Sequence, residues 1–542
     1  MNPFFQLTLA LAVSMLVIPL VRRVAPRLGL VDMPDPRKVH TVPIPRVGGW
    51  GITLGTLLPL LLVLRLDPLV QSFLIGGAIL FAFGIWDDAR TLGHWPKFVG
   101  QLAAVGAVVY YGDLWVSRVP FIDGTLPADL GKPFTMFALI GVINAINHSD
   151  GLDGLAGGES VLSLIALAIL GYMSDSPLVL SISLATIGGI FGFLRYNSHP
   201  AYVFMGDSGS QVLGFTLGFL VVYLTQVANT ALSGALPLLI LGLPIADILS
   251  VLYQRIRAGM NWFKATRNHV HHRLLQLGFD HSETVVIIYL VQAAFVVGAV
   301  LARYESDSTV TLIYVAGISV LFWALHAAER RHWRLPRGGL EPRLTRAIDA
   351  LKRSKAIVKG SLLVVSVLAP VVMLVSALLV ARVPSDFAVA AAILAVLPAS
   401  QLLWPRAMRP VLLRLAVYAT AIFPAYLLIS NPEAIPHSAQ SLITAVIVVL
   451  ALAIVVYVRF SAEQRFGTTP TDYLIVGGVV ALTVFGSIEV NSREVVEAVL
   501  LATVLSYACE IIVGTAPQSP SRRVLQLSTI GTLLIITLRA VL

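Results

Sequence analysis

Long apolar runs alternate with short polar connections along the whole chain. A run is typically about twenty residues long, which is the length that an α-helix needs to cross roughly 30 Å of hydrocarbon. We count about eighteen such runs, about eleven before residue 330 and about seven after residue 360. The pattern predicts an all-α polytopic membrane protein.

Composition supports the same class. Hydrophobic residues make up 57% of the chain and charged residues 12%, whereas about a quarter of the residues of a soluble domain are charged. Cys509 is the single cysteine. An internal disulfide and a zinc site built on paired cysteines are therefore excluded.

The basic residues predict the orientation. The formal net charge is +9, and most of the 38 Lys and Arg fall in every second connection. By the positive-inside rule these connections face the cytoplasm, so we expect both termini outside and the polar loops with candidate chemistry inside. Because topology accounts for the basic charge, we expect no nucleic-acid partner.

The spans divide into two groups. We predict a membrane core over residues 1–330, a basic cytoplasmic connector over 331–359, and a C-terminal membrane domain of about seven spans over 360–542. No functional site is visible in the C-terminal domain, and its role stays open.

The densest polar segment is NAINHSDGLDGLAGG, residues 144–158, at the end of an apolar run. Asn147, Asp150 and Asp153 lie where a span leaves the bilayer, and the neighbouring glycines let a ligand approach the backbone. Two carboxylates three residues apart share a helical face and can hold a hard cation. The alternative is a polar loop between two spans, but polar clusters at a membrane boundary favour a site.

Acidic residues also mark two other span ends. Asp87 and Asp88 end one span, and Lys97 begins the next; adjacent carboxylates repel each other and favour a metal or a cationic partner, with a solvated helix end as the alternative. Asp207 lies in a Gly-Asp-Ser-Gly turn that opens a span. It either caps the helix or presents a carboxylate and backbone amides to a metal-bound phosphate.

Two loops are strongly basic. The first, with Arg37, Lys38, His40 and Arg46, is either a phosphate clamp or a topology anchor at the lipid headgroups.

The second basic loop contains His269, His271 and His272 between Arg267 and Arg273. Spacings of one and two residues do not place three histidines on one helical face, and no cysteine completes a zinc set. A basic rim that contacts phosphate fits this loop better.

Five motifs follow one another on the predicted cytoplasmic side: RKVH with PRVGG (37–49), DD with Lys97 and Gln101, NAIN with DGLDGL (144–155), FMGDSGS (204–210) and HVHHRL (269–274). In this order they resemble the polyprenyl-phosphate N-acetylhexosamine-1-phosphate transferases. The resemblance covers about residues 1–330. It is nearest to the bacterial undecaprenyl-phosphate GlcNAc-1-phosphate transferase branch, because the last motif continues as HHRLLQLG.

The resemblance implies a reaction at the cytoplasmic face of a bacterial inner membrane. The phosphate of undecaprenyl phosphate attacks the β-phosphorus of a UDP-N-acetylhexosamine, in this branch UDP-GlcNAc, and UMP leaves. The product initiates a lipid-linked cell-envelope glycan. The sugar, the lipid length, the pathway and a homodimer stay open.

The resemblance also implies residue roles. Asp207 and Asp153 would hold Mg²⁺, with Mn²⁺ as the alternative, and Asp87 and Asp88 would orient or deprotonate the lipid phosphate. Asn147 and Asp150 would bind the nucleoside, and Asn144 would also contact substrate. The basic positions would neutralise phosphates: His40, Arg46, Lys97, Arg267, His269, His271, His272 and Arg273.

A different class of function remains as an alternative: a transporter or flippase of lipid-linked sugars. Such a protein would carry charges at the bilayer midplane of broken spans. In this sequence the carboxylates of the motifs cluster at one rim, which favours the transferase.

Overall fold

The computed structural model describes residues 3–34, 42–122, 124–260, 268–335, 355–380, 382–403, 410–429, 437–461, 472, 475, 493–515 and 519–540. The chain forms two compact units, Met1–Pro336 and Arg337–Leu542. His40, Arg267 and most of the connector predicted over 331–359 lie outside the described residues.

The first unit is built from helices, which in chain order are α1 (Pro3–Val24), α2 (Gly48–Val63), α3 (Pro68–Ala89), α4 (His94–Gly106), α5 (Ala128–Ser149), α6 (Leu155–Met173), α7 (Pro177–Asn197), α8 (Asp207–Tyr223), α9 (Pro237–Ile240), α10 (Gly242–Arg257), α11 (Val270–Gln276), α12 (His281–Leu301) and α13 (Asp307–Arg330). π-Helical turns extend α4 over Ala107–Tyr111 and α8 over Leu224–Ala228.

Nine helices of the described residues are long and apolar enough to cross a membrane. They confirm the prediction of a polytopic helical membrane protein. The total of about eighteen spans and the outside location of both termini stay predictions.

The apolar run over residues 231–252, one of the eighteen counted in the sequence, is not one continuous helix in the structure. α9 ends at Ile240, and Leu241 leaves the helical conformation before α10 begins. Gln292 of α12 bonds the freed backbone groups: its Nε2 donates to the Ile240 carbonyl at 2.9 Å, and its Oε1 accepts from the Leu243 amide at 3.0 Å. An interrupted helix is tolerated inside a membrane when a neighbouring helix bonds its backbone in this way.

α8 is the central helix of the first unit. Every residue from Ser208 to Val222 is buried, and the helix packs against α2, α3, α5, α6 and α7. Glycines allow the closest approaches: a Cβ on Gly84 of α3 would lie 2.4 Å from Ser208 Cα, and one on Gly214 of α8 would lie 2.6 Å from Ile143 Cα. The N-terminus of α8 is therefore fixed between its neighbours.

A short antiparallel ribbon adds to the predicted all-helical fold. β1 (Val31–Asp32) pairs with β2 (Ile44–Pro45). Backbone hydrogen bonds join the end of the ribbon to the loop before α8. The Phe204 amide donates to the Pro45 carbonyl at 2.9 Å, and the Gly48 amide donates to the Phe204 carbonyl at 2.9 Å. The first predicted cytoplasmic loop and the Gly-Asp-Ser-Gly loop are thus held together.

The described part of the second unit is also helical, with α14 (Lys355–Leu379), α15 (Ser385–Leu403), α16 (Pro410–Ile429), α17 (His437–Phe460), α18 (Arg493–Val513) and α19 (Pro520–Arg539). Within it, Glu510 of α18 accepts from Arg414 of α16 at 2.9 Å and from Tyr418 at 2.8 Å. This ion pair joins two helices of the unit.

Replacing Gly84 with alanine should destabilise the protein, because the new methyl group would meet the backbone of Ser208 and not a flexible side chain. Overpacking of this kind costs about 1–3 kcal/mol. We expect a melting temperature lower by several degrees in detergent. Gly298→Ala is the matched control, since a Cβ there meets nothing within 4 Å; equal melting temperatures for the two variants would contradict the packing argument.

Candidate active site

The candidate site centres on Asp207, the first residue of α8. Gly206 before it has a φ of +73°, which favours glycine, and turns the chain from the loop into the helix. The Asp207 carboxylate accepts hydrogen bonds from Lys97 Nζ at 2.8 Å and from Asn147 Nδ2. Its side chain is 21% exposed, so the carboxylate remains accessible to a ligand.

Lys97 bridges two carboxylates. Its Nζ lies 2.6 Å from Asp87 Oδ2 and 2.8 Å from Asp207 Oδ2. The other oxygen of Asp87 accepts from the Leu92 amide at 2.6 Å, which orders the connection after α3. Two carboxylates and one ammonium leave a net negative charge, and carboxylate oxygens are the ligands that Mg²⁺ prefers.

Asp88 faces the N-terminus of α8. Its carboxylate accepts from the Asp207 amide at 2.8 Å, from the Ser208 amide at 3.1 Å and from Ser208 Oγ at 2.7 Å. The residue is 6% exposed, and a Cβ on Gly206 would lie 2.6 Å from its oxygens. Because both oxygens are used in this way, the geometry favours positioning of Asp207 over direct contact with the lipid phosphate.

Asn144 and Asn147 of α5 donate hydrogen bonds to different partners. Asn147 Nδ2 donates to Asp207 and, at 2.8 Å, to Ser210 Oγ. Asn144 Nδ2 donates to Gln101 Oε1 at 3.0 Å. Asn147 thus belongs to the Asp207 cluster, whereas Asn144 joins α5 to α4.

The glycine-rich loop after α5 is fixed from two sides. The Gly154 amide donates to Asn197 Oδ1 at 2.8 Å, and Tyr289 donates its hydroxyl to the Gly154 carbonyl at 2.6 Å. Gly154 has a φ of +80°, a conformation that L side chains rarely adopt. The loop therefore presents Asp150 and Asp153 in a defined conformation.

Asp150 follows α5 directly and is half-buried. Burial, and then the negative charges of Asp207, Asp88 and Asp153, raise the pKa of Asp150 to about 7, against the opposing effect of Arg46. Its carboxyl group is thus part of one electrostatic cluster with Asp207.

Asp153 contacts a different set of groups. Its Oδ2 lies 2.7 Å from His199 Nδ1 and accepts from the Ala201 amide at 3.1 Å, while its own amide donates to His281 Nε2 at 3.1 Å. The sequence predicted that Asp153 and Asp207 hold one metal together. In the structure Lys97 joins Asp207 to Asp87, whereas Asp153 contacts two histidines, so these contacts do not favour that pair.

These histidines and Asp153 place their ligand atoms within 4.8 Å of one another, close enough to consider a metal. However, the rings of His199 and His281 are stacked at 4.1 Å, and the lone pair of His281 Nε2 already accepts the Asp153 amide. A metal would have to displace that bond. In this structure the hydrogen bonds of the group join the glycine-rich loop to His199 after α7 and to His281 at the start of α12.

The histidine motif lies against the same loop. A Cβ on Gly151 would lie 2.4 Å from His271 Nε2, so glycine is needed for the ring to pack there. Burial lowers the pKa of His271 to about 3, and a neutral ring does not serve as the phosphate-binding cation that the sequence predicted. His272 packs on His271 with ring centres 4.2 Å apart.

Two predicted phosphate-binding arginines are engaged by carboxylates. Arg273 donates to Glu329 of α13 through Nε at 2.7 Å and through Nη2 at 2.9 Å. Arg46 pairs with Asp32 of the ribbon. Arg273 therefore holds α11 to α13 in this structure, and the sequence prediction missed that role.

Two buried acids were not among the residues predicted from the sequence. Asp247 of α10 lies 2.7 Å from His269 Nδ1, and Glu159 of α6 is 2% exposed. With His271 they line a small cavity. Asp247 lies inside the apolar run over 231–252 and Glu159 at the start of the run over 159–173, and a charged residue in such a run is itself a signal of function.

Comparison with known proteins points to one family. The model of the glycosyl transferase family 4 matches residues 70–225. A probable undecaprenyl-phosphate N-acetylglucosaminyl 1-phosphate transferase of Bacillus subtilis is 34% identical over 330 residues, 59% of this chain and 91% of the relative.

Two further relatives extend the comparison. A decaprenyl-phosphate N-acetylglucosaminephosphotransferase of Mycobacterium tuberculosis is 33% identical over 56% of this chain and 84% of its own length. An undecaprenyl-phosphate alpha-N-acetylglucosaminyl 1-phosphate transferase of Escherichia coli O157:H7 is 33% identical over 52% of this chain and 79% of its own length.

The raised pKa of Asp150 predicts a pH-dependent effect of Asp150→Asn on stability. The folded protein holds this proton up to about pH 7, whereas the unfolded chain releases it near pH 4. Ionisation thus destabilises the folded state increasingly as the pH rises through this window. In chelator and without substrate, the melting temperature of Asp150→Asn relative to wild type should rise by on the order of a few degrees from pH 5 to pH 8. An unchanged difference would contradict the shifted pKa.

Proposed function

This chain belongs to glycosyl transferase family 4, and we propose that its site transfers N-acetylglucosamine 1-phosphate from UDP-N-acetylglucosamine to a polyprenyl phosphate. The relatives are named as undecaprenyl- or decaprenyl-phosphate transferases of this sugar phosphate. The observation that carries the assignment to a site is the cluster of Asp87, Lys97, Asn147 and Asp207 at the helix ends.

The chemistry demands little covalent participation from the protein. An oxygen of the lipid phosphate attacks the β-phosphorus of the UDP-sugar, the bond from that phosphorus to the oxygen bridging it to UMP breaks, and UMP leaves. Because both reactants are anionic, catalysis consists mainly of positioning and charge neutralisation. A lipid phosphate has a second pKa near 6, so a strong general base is unnecessary.

The side chains divide this work. Lys97 neutralises phosphate oxygens that approach Asp207, and its ion pairs to Asp87 and Asp207 hold the ammonium in place. Asp88 positions the first turn of α8. Asn147 and Asp150, beside this cluster, contact the nucleotide.

The donor set fits a divalent cation. Asp207 and Asp87 offer hard oxygen ligands beside a single ammonium, and Asp207 is accessible. We assign Asp207 as the residue that holds Mg²⁺, or Mn²⁺, with Asp87 beside it. When bound, the ion supplies positive charge to the diphosphate as it is cleaved.

The site opens to the cytoplasm in this proposal. The helix ends that carry Asp87, Asn147 and Asp207 adjoin the loops that the positive-inside rule directs inward. UDP-sugars are cytoplasmic, and the isoprenoid remains in the bilayer, so both substrates reach one rim. A bacterial inner membrane suits the relatives and the lipid that their names state.

The transporter alternative gains no support from the broken span. The groups freed between α9 and α10 are bonded by the neutral Gln292, and Asp247 of α10 is paired with His269. The groups at the break are thus bonded within the protein, whereas a transporter uses the ends of its broken helices to bind substrate or coupling ion.

UMP release by the purified full chain tests the proposal. With undecaprenyl phosphate, UDP-GlcNAc and Mg²⁺ we expect turnover that is lost in excess chelator. Asp207→Ala should reduce the rate on the order of 10³-fold, because the diphosphate loses the cation that neutralises it.

Asp113→Ala is the matched control for this experiment. Asp113 also pairs with a lysine, Lys132 at 2.8 Å, but its side chain is 73% exposed and outside the candidate site. The control should keep wild-type turnover. Full activity of Asp207→Ala, or of the wild type in excess chelator, would refute the assigned site.

A further inference from the structure

We propose that Asp247 is a positioning residue that fixes the tautomer and the orientation of His269 for the transfer reaction. This inference rests on the proposed function. Asp247 lies in α10 and is 7% exposed, as is His269. A buried carboxylate is retained at considerable energetic cost unless it is paired, and here its pairing is specific.

Both oxygens of Asp247 are used by consecutive residues. Oδ2 lies 2.7 Å from His269 Nδ1, and Oδ1 accepts from the Val270 amide at 2.9 Å. The carboxylate therefore sets the direction of the backbone at residues 269–270 and the plane of the imidazole at the same time. A single hydrogen bond would leave the ring free to rotate.

This contact also selects a tautomer. An ionised carboxylate has only acceptor atoms, so His269 Nδ1 must carry the hydrogen. In the neutral ring, Nε2 is then the acceptor nitrogen; in the imidazolium, Nε2 is a second donor whose charge Asp247 stabilises. In either form Nδ1 is committed to Asp247, and Nε2 is the remaining nitrogen of the ring.

The His269 ring lies between the two parts of the site. It stacks on His148 with centres 5.5 Å apart and on His271 at 5.7 Å. His148 follows Asn147, which donates to Asp207, and His271 packs against Gly151 of the glycine-rich loop. A change in the orientation of the His269 ring should therefore disturb both the Asp207 cluster and the glycine-rich loop.

A double-mutant cycle separates positioning from a general structural role. Asp247→Asn keeps the size and the acceptor for Val270 but can donate to Nδ1, which inverts the tautomer. We expect a loss in kcat of about 10- to 100-fold, the range found when the hydrogen-bond partner of a metal-ligating histidine is removed, with a smaller change in KM for UDP-GlcNAc. Asp247→Glu should recover part of the loss.

If Asp247 acts through His269, Asp247→Asn should not lower transfer activity further in a protein that already lacks the His269 imidazole. The double variant Asp247→Asn, His269→Ala should therefore be as active as His269→Ala alone, within about threefold. Multiplicative losses would overturn the proposal. Asp307→Asn is the matched control. Asp307 likewise accepts hydrogen bonds from a side chain and a backbone amide, Ser233 Oγ and Ala235 N, at the opposite end of α13 from Glu329. This variant should leave kcat unchanged.

A spectroscopic readout tests the proposal independently of turnover. In full-length protein labelled with ¹⁵N-histidine, His269, assigned by its loss in His269→Ala, should show a protonated Nδ1 in the wild type and a different protonation pattern in Asp247→Asn. An unchanged pattern would overturn the inference even if transfer is observed. Absence of transfer in the wild type would refute the proposed function and leave the tautomer test valid.

Discussion

The carboxylate of Asp88 at the N-terminus of α8 is the interaction on which the rest of the site depends. It bonds two backbone amides and a hydroxyl of residues 207–208, which a helix start otherwise leaves without intrahelical partners. α8 is buried from Ser208 to Val222, so its first turn cannot shift without disturbing its neighbours. Asp207 is thus the first residue of a helix whose position is fixed by its packing against the neighbouring helices.

The distribution of charge follows from the two substrates. In the proposed reaction one substrate is a lipid and the other is soluble, so the reacting phosphates meet at the membrane surface. Asp87 and Asp207 lie at an end of α3 and of α8. Lys97 limits the repulsion between Asp87 and Asp207, yet a net negative charge remains that a divalent cation can balance. A buried carboxylate outside this cluster, Asp247, is tolerated because it has a close partner in His269.

Much of this arrangement could be predicted from the sequence, because its signals are local. Apolar length predicts helices, and polar residues at the ends of apolar runs predicted the candidate residues Asp87, Asn147 and Asp207, which the structure brings together.

Other features depend on partners that are distant in the chain. Nothing near Arg273 indicates Glu329, which lies 56 residues later, and nothing near Asp153 indicates His199 or His281. The break between α9 and α10 depends on Gln292 of another helix. Asp247 was detectable as a charge in a predicted span, but its partner was not.

The fate of the β-phosphorus tests the central claim most directly. The full chain is incubated with undecaprenyl phosphate and UDP-GlcNAc labelled with ³²P at the β position, and the lipid is extracted. The account predicts that the label enters the lipid as a diphosphate-linked sugar in a one-to-one ratio with released UMP. Label that stays with the nucleotide while the sugar reaches the lipid, or lipid that gains neither, would contradict it.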